Sequence, residues 1–399
     1  MPSNLSGPLP RAWEKEEVFA SSDEFFAGLM AEIKRAKQSI YFEVYLFELD
    51  PFGKKILKAL EEVAERGVQV KLMVDGVGSP AWNLPLLKEL EQVKVNARIY
   101  KPYPWVRLGF RFFPKLFNVW KMGRWFRKLN RRNHRKVCVI DNKLAWLGSM
   151  NVCENLLRFY AGERAWRDTG VRVEGESVQA LIFAFERAWI RAWGGKMRSF
   201  RLQESNLSPT FRQIRYFWKI NPLVRLNLSF YLRNFYYQDL LNRLHSATQR
   251  IWITSAYFIP SGAILRALRA AAWAGVDVRI LVSRKMDVRM VRWLTSILLY
   301  ELLRAGVKVF EYEPRVLHAK TILIDYWATI GSSNLNHRSL IHDLEVDVVV
   351  QKPASLADLE KYFLRDEANA EEMNSKGWKQ RFWLQRILGR IFFFFRYWL

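Results

Sequence analysis

The stretch NHRKVCVIDNKLAWLGSMN at 133–151 returns in the second half of the chain as LHAKTILIDYWATIGSSN at 317–334. Each copy runs His-x-Lys, an apolar run ending in Asp, a short turn, a second apolar run, and then Gly-Ser-x-Asn. His134, Lys136, Asp141, Gly148, Ser149 and Asn151 are matched by His318, Lys320, Asp325, Gly331, Ser332 and Asn334. The chain has five histidines, and two of them hold the same slot of the same pattern. A lone His-x-Lys is more often a satisfied surface or core pair. A duplicated six-position pattern points instead to an active site built from two half-sites.

Working outward, each copy is preceded by alternating helix and strand signals. Residues 22–38 read as a helix with Phe25, Phe26, Leu29, Met30 and Ile33 on one face, capped by Ser22 or Asp23. A buried strand at 39–47, a helix at 53–66 stopped by Gly67, and a strand at 68–74 follow. The second half repeats the plan with a helix at 238–248, a strand at 250–257, a helix at 262–274 stopped by Gly275, and a strand at 276–283. This alternation predicts an α/β fold of two similar lobes, each a β-sheet covered by helices.

The repeats are not equally spaced. Gly67 and Gly275 lie 208 positions apart (275 − 67), whereas His134 and His318 lie 184 apart (318 − 134). The first half therefore carries about 24 extra residues ahead of its motif, and residues 101–132 supply them. No acidic residue occurs between Glu91 and Asp141, and the segment is rich in Phe, Trp, Lys and Arg. So many cations could not be buried unpaired, which favours a surface-active role over a packed linker. The expected division is a lead-in at 1–20, a first lobe at 21–197 with the 101–132 insertion, a basic-aromatic connector at 198–237, a second lobe at 238–370 and a C-terminal helix at 371–399.

Composition narrows the partners. A net charge of +24 calls for nucleic acid, an acidic membrane surface or a phosphorylated substrate. The 17 Trp and 27 Phe, many beside Arg or Lys, suit a membrane interface. Residues 377–399 have no acidic side chain; Trp378, Phe382, Leu388, Ile391, Phe395 and Trp398 recur at helical spacing, with Lys379, Arg386 and Arg390 on another face. That is the pattern of a helix lying in a membrane surface. No uncharged run reaches the ~18 residues needed to span a bilayer, and the N-terminus lacks a signal-peptide core. A peripheral location on the cytoplasmic membrane, at its cytoplasmic face, is the expectation. Cys138 and Cys153 are too few for a disulfide framework, and Cys138 reads as a small buried hydrophobe.

His and Lys two apart on a strand share a face. A neutral imidazole beside a fixed cation suits attack on an anionic phosphorus centre: the His attacks or moves a proton, and the Lys holds a phosphoryl oxygen. Ser and Asn add neutral donors, and Gly lets the backbone approach. His245, His337 and His342 show no ligand spacing with Cys or carboxylates, and two lysines would repel a cation, so neither metal nor cofactor is expected.

This duplicated pattern resembles the phospholipase D superfamily, over about residues 20–365. The resemblance implies two α/β lobes related by a pseudo-two-fold and sharing one active site, with metal-free chemistry through a phosphohistidine. By position His134 would be the nucleophile and His318 the general acid/base, although the sequence leaves the reverse open. Lys136, Lys320, Ser149, Asn151, Ser332 and Asn334 would hold phosphoryl oxygens; Asp168 and Glu345 would orient the imidazoles. Asp141 and Asp325 belong to the motif's catalytic set, yet their place at strand ends suits a structural carboxylate. Five residues separate Asp325 from Gly331, where the first copy has six. Within the superfamily the chain is most similar to bacterial cardiolipin synthases without N-terminal membrane spans, through Glu43 in YFEVYLF, the run at 256–260, and NRRNHRK at 130–136. Glu43 and Tyr257 are candidate pocket residues, with a buried structural carboxylate and a core ring as the alternatives.

These expectations name phosphatidylglycerol as substrate, transfer of a phosphatidyl group to a second phosphatidylglycerol as the reaction, and an acidic membrane surface as partner. A phospholipase D using water or another alcohol is the alternative. A nucleic-acid phosphodiesterase is less favoured, because the basic residues sit among Phe and Trp.

Overall fold

The computed structural model describes residues 12–102, 131–193, 223–285, 289–336 and 338–374. The core of the 101–132 insertion, residues 198–222 of the expected connector, His337 and residues 375–399 of the expected C-terminal helix lie outside them; residues 371 and 372, expected to open that helix, are in a β-strand instead. Among the described residues no helix is long and apolar enough to cross a membrane.

Two sheets are built to one plan. The first has the order β1-β7-β6-β5-β2-β3-β4, from β1 (Lys15–Phe19), β2 (Ser39–Val44), β3 (Gln69–Asp75), β4 (Val95–Tyr100), β5 (Val137–Ile140), β6 (Leu144–Gly148) and β7 (Gly170–Glu174). In the second, β8 (Val224–Leu226), β9 (Arg250–Ser255), β10 (Asp277–Ser283), β11 (Lys308–Tyr312), β12 (Lys320–Ile324), β13 (Trp327–Gly331) and β14 (Val346–Val350) give β8-β14-β13-β12-β9-β10-β11, with β15 (Ala370–Glu372) added at the far edge. The strands match one for one. Helices match too: α1 (Ser22–Arg35), α2 (Pro51–Glu65), α3 (Leu84–Gln92) and, after the four-residue α4 (Arg158–Ala161), α5 (Gln179–Trp189) correspond to α6 (Phe230–Ser246), α7 (Gly262–Trp273), α8 (Arg289–Leu303) and α9 (Pro353–Glu367).

The predicted α/β class and paired lobes are found, with boundaries that shift where tertiary pairing decides. Residues 15–19, expected in the lead-in, form β1 against β7, with Val18 and Phe19 buried. Residues 224–237, expected in the connector, belong to the second lobe: β8 pairs with β14, and α6 starts at Phe230, where the Ser229 hydroxyl accepts from the Leu232 N–H. A three-residue strand with a central Arg225 has no local signature; its backbone is drawn in by the free edge of β14.

The motif strands are apolar throughout because both faces are covered. Val137, Val139, Ala145 and Leu147 join a core continuous with Ala328, Ile330, Val346 and Val348 of the second lobe. Cys138, Ile140, Leu144 and Trp146 face the opposite core, against α1 and α2. The two lobes thus share one apolar seam, and the His-x-Lys segments lie at its end. Both cysteines are free and buried.

Asp141 and Asp325 each gather backbone N–H groups at the entry to a neighbouring strand, the geometry of a structural carboxylate. Asp141 turns the chain at φ 50° and accepts the backbone N–H groups of Lys37, Gln38 and Ser39 at the entry to β2. Asp325, at φ 48°, does the same for Thr248, Gln249 and Arg250 before β9. Each ties the motif hairpin to the central strand beside it. Removing either carboxylate leaves three N–H groups without their charged acceptor. Asp141→Ala or Asp325→Ala should therefore lower stability by about 1.5–3 kcal/mol, read as a fall in melting temperature. An unchanged melting temperature with lost activity would return these residues to the catalytic set.

Candidate active site

His134 and His318 stand in the short segments leading into β5 and β12, and the backbone of each is gripped by the opposite lobe. His134 N–H donates to the Leu344 carbonyl at 2.9 Å, and Asn133 bridges Leu344 in parallel. His318 N–H donates to the Arg167 carbonyl at 2.8 Å, with Arg167 bridging Leu317. Leu344 and Arg167 immediately precede Glu345 and Asp168. As a result the orienting carboxylates cross between lobes: His134 Nδ1 lies 3.1 Å from both oxygens of Glu345, and His318 Nδ1 lies 2.8 Å from Asp168 Oδ2. Each half supplies the carboxylate for the other half's histidine, which spacing along the sequence could not reveal.

A carboxylate on Nδ1 fixes the tautomer, leaving Nε2 unprotonated and directed away. Burial, with Lys136 and Lys320 close by, holds the His134 imidazole well below its usual range. Burial and Lys320 likewise lower His318, with Asp168 opposing. Burial alone would raise the Asp168 carboxyl; His318, Lys320 and the Ser149 hydroxyl outweigh it and hold it below the ordinary carboxylate range. Glu345 goes the other way, pushed up to about 7 by burial against the pull of Lys136 and two hydroxyls. The two dyads are thus alike in plan, while burial raises one carboxyl and its partners hold the other down.

The lysines behave as expected of residues that share a face with the histidines. Lys136 Nζ donates to the His134 carbonyl at 2.6 Å; Lys320 Nζ donates to the His318 carbonyl at 2.7 Å and lies 3.1 Å from His318 Nε2. The serines do not act as expected. Ser149 Oγ donates to Asp168 and Ser332 Oγ to Glu345, so both hydroxyls hold the orienting carboxylates. The glycines before them allow this. A Cβ on Gly148 would lie 2.5 Å from the Thr169 carbonyl oxygen, and one on Gly331 2.0 Å from Asp347. Asn151 Oδ1 accepts from the Leu46 N–H, whereas Asn334 Oδ1 is buried with no donor.

Glu43 resolves as a buried structural carboxylate. It accepts from Asn133 Nδ2 at 2.9 Å and pairs with Arg135 at 3.2 Å, while Arg135 Nε donates to Asn133 Oδ1. This triangle grips both residues that flank His134. Tyr257, the other pocket candidate, is half-buried beyond β9, where its carbonyl accepts the Ser255 hydroxyl. It is not among the residues that line the cavity at Lys320, Asn334 and Glu345.

Several contributors were missed in the sequence. Asp75 ends β3 and accepts the Asn133 N–H; Ser283, ending β10, accepts the Leu317 N–H in the matching place. The Asp75-Gly76 strand end was the available signal. Tyr45 packs its ring 4.9 Å from His134, with Lys136 Nζ 5.2 Å from the same ring, and Trp166 lies 5.7 Å from His318. Ser339, in a π-helical turn at Arg338–His342, donates to Glu345 at 2.7 Å. Among the described residues no group of three His, Cys, Asp or Glu is arranged to hold a metal ion.

The arrangement brings two imidazoles, each fixed at Nδ1, and two lysine side chains to one centre. Burial pushes Lys136 down to about 7, so an anion that needs its charge must bring a proton with it above that pH. Sulfate keeps its charge at neutral and alkaline pH, and its affinity should fall by up to about tenfold per unit above pH 7, measured by calorimetry. Lys136→Arg should flatten the profile, since a guanidinium stays charged. A flat wild-type profile would contradict the assignment.

Comparison with known proteins agrees with this geometry. A family described as "Cardiolipin synthase, PLD-like domain" matches residues 29–189 and 240–367. A cardiolipin synthase of Halalkalibacterium halodurans is 32% identical over 386 residues, covering 93% of this chain and 70% of the relative. Cardiolipin synthase B of Escherichia coli is 32% identical over 346 residues, covering 85% and 77%. Among solved structures, a phosphatidylserine synthase of Haemophilus influenzae superposes with a TM-score of 0.67 at 15% identity, covering 97% of this chain and 95% of that one, a likeness of fold. The chain belongs to the phospholipase D superfamily, in its cardiolipin synthase-like branch, and is an enzyme of phosphatidyl transfer or hydrolysis on phospholipids.

Proposed function

We propose that the protein is a cardiolipin synthase-type phosphatidyltransferase working at an acidic membrane surface. His134 Nε2 attacks the phosphorus of one phosphatidylglycerol, and the P–O bond to glycerol breaks. His318, protonated for this step, gives its proton to the leaving glycerol oxygen. The second phosphatidylglycerol then gives a hydroxyl proton to His318 as its oxygen forms a bond to phosphorus. The P–N bond breaks, its electron pair returns to His134, and cardiolipin leaves.

The observation that carries this reading is the pair of imidazoles with carboxylates on Nδ1 and ammonium groups beside them. Neutral Nε2 on one side and a proton carrier on the other are what two successive displacements at one phosphorus require. Asp168, held ionised, supports the charged imidazolium that His318 becomes. Lys136, Lys320, Asn151 and Asn334 hold phosphoryl oxygens. Residues 101–132 and 377–399 supply the basic-aromatic membrane contact, on the cytoplasmic face, and lipid around the site keeps water from competing with the acceptor.

Purified protein on phosphatidylglycerol vesicles should make cardiolipin and release glycerol. His134→Ala and His318→Ala should each lower the rate by about 10³-fold or more. Phosphatidic acid as the main product would make the enzyme a hydrolase, and undiminished cardiolipin from both variants would sink the mechanism.

A further inference from the structure

The lobes match strand for strand, so a place where their packing differs was not dictated by the duplication. Under α1 the first sheet is sealed with rings. Trp146 packs against Phe19 and Phe25 at 5.2 and 5.1 Å, and a Cβ added to Gly170 would lie 2.5 Å from the Phe25 ring. Gly148 pairs with Gly170 across β6 and β7, whereas Gly331 pairs with Asp347 across β13 and β14. Where the first lobe has a glycine under an aromatic ring, the second has a carboxylate. A cavity lies there between α6 and the sheet.

Arg225, Tyr236, Trp327, Thr329 and Asp347 line this cavity, together with Lys320, Asn334 and Glu345 of the catalytic centre. Its cations are engaged by the protein. Arg225 is sandwiched 4.6 Å from both the Tyr236 and Trp327 rings and pairs with Asp239. Arg233 gives its N–H groups to the carbonyls of Asn227, His342 and Asp343. The acceptors are less occupied. Asp347 accepts from Ser333 alone, through its N–H at 3.1 Å and its hydroxyl, and buried Asn334 Oδ1 takes no donor. A phosphate would meet the Asp347 carboxylate here. A neutral group with two or three adjacent hydroxyls would donate to both residues, whereas an alcohol with one hydroxyl would reach only one of them.

We infer that this cavity is the alcohol subsite of the enzyme, taking the glycerol headgroup that leaves with the first displacement and that carries the attacking hydroxyl in the second. Asp347 and Asn334 Oδ1 accept its hydroxyl protons as hydrogen bonds, while the other end of the Asn334 amide faces the phosphoryl group. The Lys320 ammonium, 3.1 Å from His318 Nε2, sets the attacking oxygen beside the base that takes its proton. The inference rests on phosphatidyl transfer as proposed above and adds no chemical step. It assigns Asp347 as the residue that selects a polyol over water or a simple alcohol.

The test is exchange of isotope-labelled glycerol into phosphatidylglycerol vesicles by the full-length protein, alongside 1-propanol, with cardiolipin and phosphatidic acid measured in the same samples. Glycerol should be used saturably, with a kcat/KM at least tenfold above that of 1-propanol. Asp347→Ala should lower the ratio of glycerol exchange to hydrolysis at least tenfold, mainly through KM. Asp347→Asn, which keeps an acceptor oxygen for Ser333, should stay within about threefold. The wild-type alcohol preference decides the matter even if Asp347→Ala does not fold. Glycerol exchange without cardiolipin would remove the proposed acceptor and keep the subsite. Cardiolipin formation with glycerol and 1-propanol used equally would keep the reaction and overturn the subsite. Neither exchange nor cardiolipin would overturn both.

Discussion

Everything at the catalytic centre depends on one exchange between the lobes: each histidine takes its carboxylate from the other half. The backbone makes this exchange possible. Parallel bridges from Asn133 to Leu344 and from Arg167 to Leu317 set the residue before each carboxylate against the segment that carries the opposite histidine. Both imidazoles are thereby fixed at Nδ1, and neither lobe holds a complete dyad alone. The apolar seam of Val137, Val139, Ala328, Ile330 and their neighbours keeps the sheets in the register that the exchange requires. A shift of one sheet against the other would cost both dyads together.

The centre is paired without being symmetric. Around His134 the Glu43–Asn133–Arg135 triangle and the Tyr45 ring pack the site; Arg135 has Ala319 as its counterpart in the second copy. Lys320 beside His318 and Glu345 on His134 both line the cavity under α6. The orienting carboxyls differ too, with Asp168 held low and Glu345 raised to about 7. A two-step transfer asks unlike tasks of its two histidines, one to carry phosphorus and one to carry a proton. The surroundings are unlike where the tasks are.

Much of this was legible in the sequence because it is local. The repeat gave the two lobes, and the His-x-Lys spacing placed each lysine beside its histidine. The continuous apolar runs signalled strands covered on both faces. Asp168 and Glu345 were named through the family resemblance, but their crossing was not, because partners 150 and 211 residues apart are chosen by the packing of sheets. Ser149 and Ser332 were read as phosphate donors because Gly-Ser-x-Asn looks like a binding turn. Only the close approach of β7 and β14 shows their hydroxyls turned to the carboxylates. β8 escaped notice for a similar reason: three residues around a buried arginine become a strand only when an edge is waiting for them.

The crossing is open to direct observation in protein carrying 15N-labelled histidine, whose imidazole resonances report what each Nδ1 is bonded to. Asp168→Asn should shift the Nδ1 resonance of His318 and leave that of His134 in place, and Glu345→Gln should do the reverse. A shift of His134 on Asp168→Asn, with His318 unmoved, would mean that each lobe serves itself, and would contradict the account.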